Sequence, residues 1–139
     1  MGARRLEELV VWQLANELRQ KVYDITASGP AARDLKFCDQ IRDAASSVAR
    51  NISEGFGRYR HREFAQFLVI ARGSLVELVD HLHDGVARKH WNAETTTELH
   101  ALCNRTLAAV TYFIRYLRST ADRKPPILMR TQAPKHLST

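Results

Sequence analysis

Three guanidinium groups, a phenol and an imidazole fall within five consecutive residues at Arg58, Tyr59, Arg60, His61 and Arg62. Cations interleaved with an aromatic suit contact with phosphate oxygens and stacking against a base. A solvated turn rich in arginine is the other reading of these residues, and the stretch alone does not separate the two. Two more cations, Arg123 and Lys124, open a C-terminal stretch that also holds Arg130 and Lys135 against the single acid Asp122. The three turn arginines contribute +3 and the last nineteen residues another +3, which together equal the whole net charge of +6. A neutral body with two basic spots favours an acidic partner such as RNA or DNA. The expected interface is therefore Arg58, Tyr59, Arg60 and Arg62 with Arg123 and Lys124.

Other chemistries fit the residues less well. "EGFGRYR" has two glycines, but no Gly-Lys-Ser/Thr follows and no third glycine completes a dinucleotide loop. These glycines come after a helical pattern, whereas phosphate-binding amides point outward from a helix N-terminus. The expectation is that Gly55 or Gly57 adopts a left-handed conformation and ends a helix. Glu77, Asp80, His81 and Asp84 share one helix face and resemble half of a carboxylate–histidine cluster. No facing Glu-x-x-His supplies the other half, since Thr97 stands three before His100. No metal or other cofactor is expected. Ser46 and Ser47 have no histidine nearby in sequence, and Cys38 and Cys103 sit among apolar helical positions, where cysteine behaves as a small hydrophobe. No catalytic residue emerges, and the chain is not expected to be an enzyme.

Four long amphipathic segments must position these residues, and no segment alternates as a strand. The first runs from about Leu6 to Ala27 with a stripe of Leu6, Val10, Leu14, Leu18, Val22 and Ile25, and ends at Ser28-Gly29-Pro30. The second, about Asp34 to Gly55, presents Phe37, Ile41, Ala44, Ala45, Val48 and Ile52. The third, about Arg62 to Lys89, presents Phe64, Phe67, Leu68, Ala71, Leu75, Leu78, Val79 and Leu82. The fourth starts with Asn92 as N-cap, or at Thr95 with Glu98 closing a capping box. Its stripe is Leu99, Leu102, Cys103, Leu107, Val110, Phe113, Ile114 and Leu117.

Short connections force neighbouring helices antiparallel, so the expected fold is an all-α, up-down-up-down four-helix bundle over residues 1–120. Residues 121–139 carry three prolines and no periodicity, and read as a basic tail. Val11, Trp12, Val69, Ile70 and Tyr116 lie off the stripes and are expected to supply subunit contacts. Gly73 falls within the third helix, where glycine costs about 1 kcal/mol relative to alanine. Close approach of the second helix is the expected offset, with Ser74 and Asn51 bridging and Glu54 meeting Arg72 or Arg50.

No apolar run reaches the roughly 18 residues of a membrane span. The start, "MGARRLEELVVWQ", has no secretory pattern, and Leu6 occupies the position where myristoylation requires Ser or Thr. With unpaired cysteines, these features lead to a cytoplasmic expectation.

"QIRDAASSVARNISEGFGR" and "EFAQFLVIARGSLVEL", preceded by "LVVWQLANEL", resemble the bacterial family of 23S rRNA intervening-sequence proteins. Asn51, Ile52, Glu54, Gly55 and Gly57 match its first signature, and Gly73, Ser74 and Glu77 its second. The resemblance spans about Leu9 to Leu117 and implies a homo-oligomer of basic four-helix protomers, specifically a pentameric ring. A related group, the accessory variability proteins of diversity-generating retroelements, binds a reverse transcriptase and nucleic acid. The resemblance thus implies a nucleic-acid-linked or polymerase-docking role and no enzymatic activity. Ala49 departs from the proline common in the family, so the second helix is expected to run through that point.

Overall fold

The structure is a computed structural model that describes residues 3–122. Arg123 and Lys124 of the expected interface therefore lie outside the described residues, as does most of the basic C-terminal stretch. Four helices form the fold: α1 (Val10–Thr26), α2 (Leu35–Phe56), α3 (His61–Ala87) and α4 (Ala93–Ser119). Single 3-10 turns, Leu6–Glu8 and Pro30–Arg33, precede α1 and α2, and no strand occurs among the described residues. Each helix packs on its two neighbours around the ring α1–α2–α3–α4, and the diagonal pairs scarcely touch. This is the antiparallel four-helix bundle that the periodicity predicts.

Capping explains most of the boundaries. The Asp34 side chain accepts from the Phe37 amide and starts α2, while Asn92 accepts from the Thr95 amide at 2.8 Å and starts α4. Of the two readings for the fourth helix, Asn92 is the cap. Asp34 also receives His90 Nε2 at 2.8 Å and an Arg88 guanidinium N–H at 3.0 Å, which fastens the start of α2 to the end of α3. The His90 hydrogen bond, followed by the Phe37 amide and Arg88, holds the Asp34 carboxyl below its ordinary range. Gly29 has φ 72° and breaks the chain after α1, as the Ser-Gly-Pro run indicates.

α1 keeps its expected face except at Val10: Leu18 and Val22 are buried, and Leu6, Leu14 and Ile25 are partly buried against the core. Glu8 turns back to accept from the Arg4 and Arg5 amides, and Leu9 is extended, so the helix begins at Val10 and not at Leu6. Val11, Ala15, Leu18, Val22 and Thr26 face the core, and Val10 is 62% exposed. Val11, expected at a subunit contact, is buried. Trp12, Val69 and Tyr116 are half-buried against the core, which leaves Ile70 as the exposed member of that group.

The other three stripes face inward as expected, with Phe67, Val79, Leu107 and Phe113 at the core's edge. α2 runs unbroken through Ala49, which is itself buried, and with Ala44 and Ala45 it narrows the helix where α1 and α3 approach. Cys38 and Cys103 are free and buried, and burial pushes the Cys103 thiol up to about 12.

The glycines need three corrections. Gly57 ends α2 with φ −67°, so neither it nor Gly55 is left-handed. Four residues separate α2 from α3, and the chain turns through that right-handed cap and an extended Arg60. The left-handed cap lies at the end of α3 instead, at Lys89 with φ 65°, where the His90 amide reaches Gly85 O and the Lys89 amide reaches Val86 O. Gly73 is exposed, and a Cβ there would meet nothing within 4 Å, so no helix approaches it. Close approach occurs at Gly55, against Phe64 and Phe67, and at Gly85, against Trp91.

Candidate nucleic-acid interface

The end of α2, the start of α3 and the end of α4 meet at one end of the bundle, and the turn arginines lie there. They divide into two groups. Arg58 and Arg60 share Glu63, at 3.8 and 3.9 Å, and Arg58 also lies 4.0 Å from Glu54 and over the Phe67 ring at 5.2 Å. Arg58, Arg60 and Glu63 line, with Gly57 and Tyr59, a hollow of about 350 Å³. Glu54 meets neither Arg72 nor Arg50, its expected partners. It pairs with Arg58 because four residues along the chain bring them to one side, and Arg50 lies instead 3.9 Å from Asp43.

Arg62 faces another way. It lines a separate cavity of about 380 Å³ with His61, Ala65 and Gln66 of α3 and Leu117, Arg118, Thr120 and Asp122 of the α4 end. Neither Arg62 nor Arg118 makes an ion pair among the described residues. Asp122 Oδ1 accepts the His61 backbone N–H at 2.9 Å, supplying from a distant part of the chain the cap that α3 lacks locally. His61 Nδ1 lies 2.8 Å from Thr120 Oγ1, whose hydroxyl donates to Tyr116 O, so the imidazole Nδ1–H is the donor. The His61 ring is buried, and its Nε2 has no hydrogen-bond partner among the described residues.

The expected cluster thus splits into a turn whose cations are largely matched by acids and a groove whose cations are not. Sequence reading misses Arg118 and the Asp122 clamp. The topology carries the signal for Arg118: antiparallel helices joined by a short turn set the beginning of one beside the end of the other.

Asn51, Ser74 and Glu77 form no part of this end. Asn51 Nδ2 donates to Ser47 O at 2.8 Å and lies 3.1 Å from Ser47 Oγ, which lies 2.8 Å from Ser74 Oγ. Ser47 therefore mediates the α2–α3 bridge, which Asn51 and Ser74 do not form directly. Glu77 accepts from His81 at 3.4 Å on the outer face of α3. Among the described residues no group of three His, Cys, Asp or Glu side chains is placed to share a metal ion.

A second surface feature is apolar. Leu9, Val10 and Val11 at the start of α1 and Ala108, Tyr112 and Phe113 on α4 line a groove of about 580 Å³. Val10 and Tyr112, 62% and 73% exposed, stand at its rim. No helix among the described residues is long and apolar enough to cross a membrane.

No curated protein matches the chain at a significant level. A family model does, over residues 7–111, which takes in α1, α2, α3 and the Asn51–Gly57 and Gly73–Glu77 signatures. That span exceeds half of the sequence, and the chain belongs to the family described as 23S rRNA-intervening sequence protein.

Proposed function

We propose that this protein is a non-enzymatic cytoplasmic nucleic-acid-binding protein that works as a homo-oligomer, linked to ribosomal RNA. The observation that carries the reading is the gathering of Arg58, Arg60, Arg62 and Arg118 at one end of the bundle. Asp122 is held at that end by the His61 amide, and Arg123 and Lys124 follow it in sequence. Cations so placed contact a phosphate backbone without reading its sequence. The family's description, which names an intervening sequence of 23S rRNA, points to the same class of partner. A ring of five protomers would repeat the basic end around one axis and raise affinity through multivalency.

Fluorescence anisotropy with labelled ribosomal RNA at low and moderate salt tests the reading. Binding that weakens steeply as salt rises is the expected result, because each phosphate contact releases counterions. Affinity that is absent, or indifferent to salt, overturns it.

A groove of this apolar character also suits a foreign protein in place of a second protomer, which favours a second reading, an adaptor that docks a polymerase or another enzyme. Its mark is a protein partner retained after nuclease treatment.

A further inference from the structure

We propose that the groove between the start of α3 and the end of α4 is a phosphate site, in which Arg62 and Arg118 supply the charge and the Gln66 amide donates beside them. This rests on the nucleic-acid reading for its physiological ligand, an RNA phosphodiester, and on the groove's own geometry for the site. The cavity of about 380 Å³ far exceeds the ~30 Å³ share of one water, leaving room for a phosphate with part of its sugar. Three side chains on its walls, Arg62, Gln66 and Arg118, have donors with no hydrogen-bond partner among the described residues. The one acid in the wall, Asp122, is already engaged: its Oδ1 takes the first amide of α3, so its charge rests against the positive end of that helix. His61 and Thr120 satisfy each other and hold the α4 end against α3, which fixes the two walls relative to one another.

The arginine turn next door has the opposite character. An anion approaching Arg58 and Arg60 competes with Glu63, which both already face, and with Glu54. Three of the four arginines Arg58, Arg60, Arg62 and Arg118 are legible as a single run, yet the two with no ion pair among the described residues come from different helices.

Two measurements on the full chain decide between these sites. The first is a titration with inorganic phosphate followed by ¹⁵N NMR, including the arginine side-chain Nε–H resonances. Arg62 and Arg118 are expected to shift together and saturably, with Arg58 and Arg60 little changed. No shift at Arg62 and Arg118 overturns the site. The second is anisotropy with a short labelled RNA duplex, comparing wild type with R62A/R118A and with R58A/R60A. R62A/R118A is expected to reduce the salt slope by about 2, since each arginine that holds a phosphate accounts for roughly one, and R58A/R60A by less. All four positions are exposed, and unchanged circular dichroism confirms that the variants fold. If wild type binds RNA and R62A/R118A binds equally well, the site falls while the nucleic-acid reading stands. If wild type ignores RNA yet phosphate still shifts both arginines, the site stands as a free-phosphate site and the RNA reading falls.

Discussion

Single residues in this chain are governed by helical phase. Gly73 lies two positions from both Ala71 and Leu75, about 200° around the helix from each, and so faces solvent. Gly55 follows the buried Ile52 by three residues and falls on the core stripe. That arithmetic is available in the sequence, and it assigns the close approach to Gly55. A Cβ on Gly55 would stand 2.5 Å from Phe64 Cδ1 and 3.1 Å from Phe67 Cβ, so an aromatic ring must move. Gly55→Ala is expected to destabilise the protein by about 1–3 kcal/mol through overpacking, less the gain in helix propensity. Gly73→Ala meets no obstacle and is expected to stabilise it by about 1 kcal/mol. Urea unfolding of the two variants checks the pair, and Gly73→Ala destabilising would show an unrecognised constraint at that position. Phase gives the α1 face from Leu14 to Ile25 but not its start, because the break at Leu9 depends on Glu8 folding back onto the Arg4 and Arg5 amides. No periodicity encodes that contact.

At the scale of elements, the α3–α4 pair shows how much the topology adds to the sequence. A turn of a few residues around Lys89–Trp91 forces the two helices antiparallel, and residues at similar distances from that turn then meet. His83 and His100 do so near the turn, with ring centroids 4.7 Å apart, and His61 reaches Thr120 at the far end. Burial first, and then the neighbouring His83, lower the His100 pKa from its ordinary 6.5. As pH falls, the unfolded chain protonates His100 before the folded chain does, so this residue's contribution to stability is complete above 6.5 and declines as pH drops through the lowered folded value. His83→Gln removes the second of the two causes and is expected to shrink this decline without abolishing it, since burial remains. Urea midpoints measured above and below 6.5 for wild type and His83→Gln read the difference directly. Equal slopes in the two proteins would mean that the imidazoles do not repel across the pair.

The bundle as a whole is legible because three of its four apolar stripes hold one helical phase from end to end, and a continuous stripe needs no knowledge of its partner. Its outer surface is less legible, since exposure depends on rotations that neighbouring helices set. Val10 and Tyr112 illustrate this: periodicity puts the first on the core stripe and singles out nothing at the second, and both stand exposed at the rim of the apolar groove. Water is excluded from such a groove most effectively by another apolar surface, and the proposed homo-oligomer supplies one in every protomer. The face also differs from the arginine groove in composition: its lining carries Glu8 and no cation. Replacing Val10 and Tyr112 with serine leaves the buried core intact, so the double variant is expected to keep its helical circular dichroism. Its mass by multi-angle light scattering is expected to fall towards the 15.9 kDa of one chain, while wild type scatters as a larger particle. RNA affinity should fall with it, because phosphate contacts made by separate protomers no longer act as one multivalent surface. A V10S/Y112S protein with wild-type mass would exclude this groove as the subunit contact. A dissociated variant that retains full RNA affinity would show that a single basic end suffices for binding.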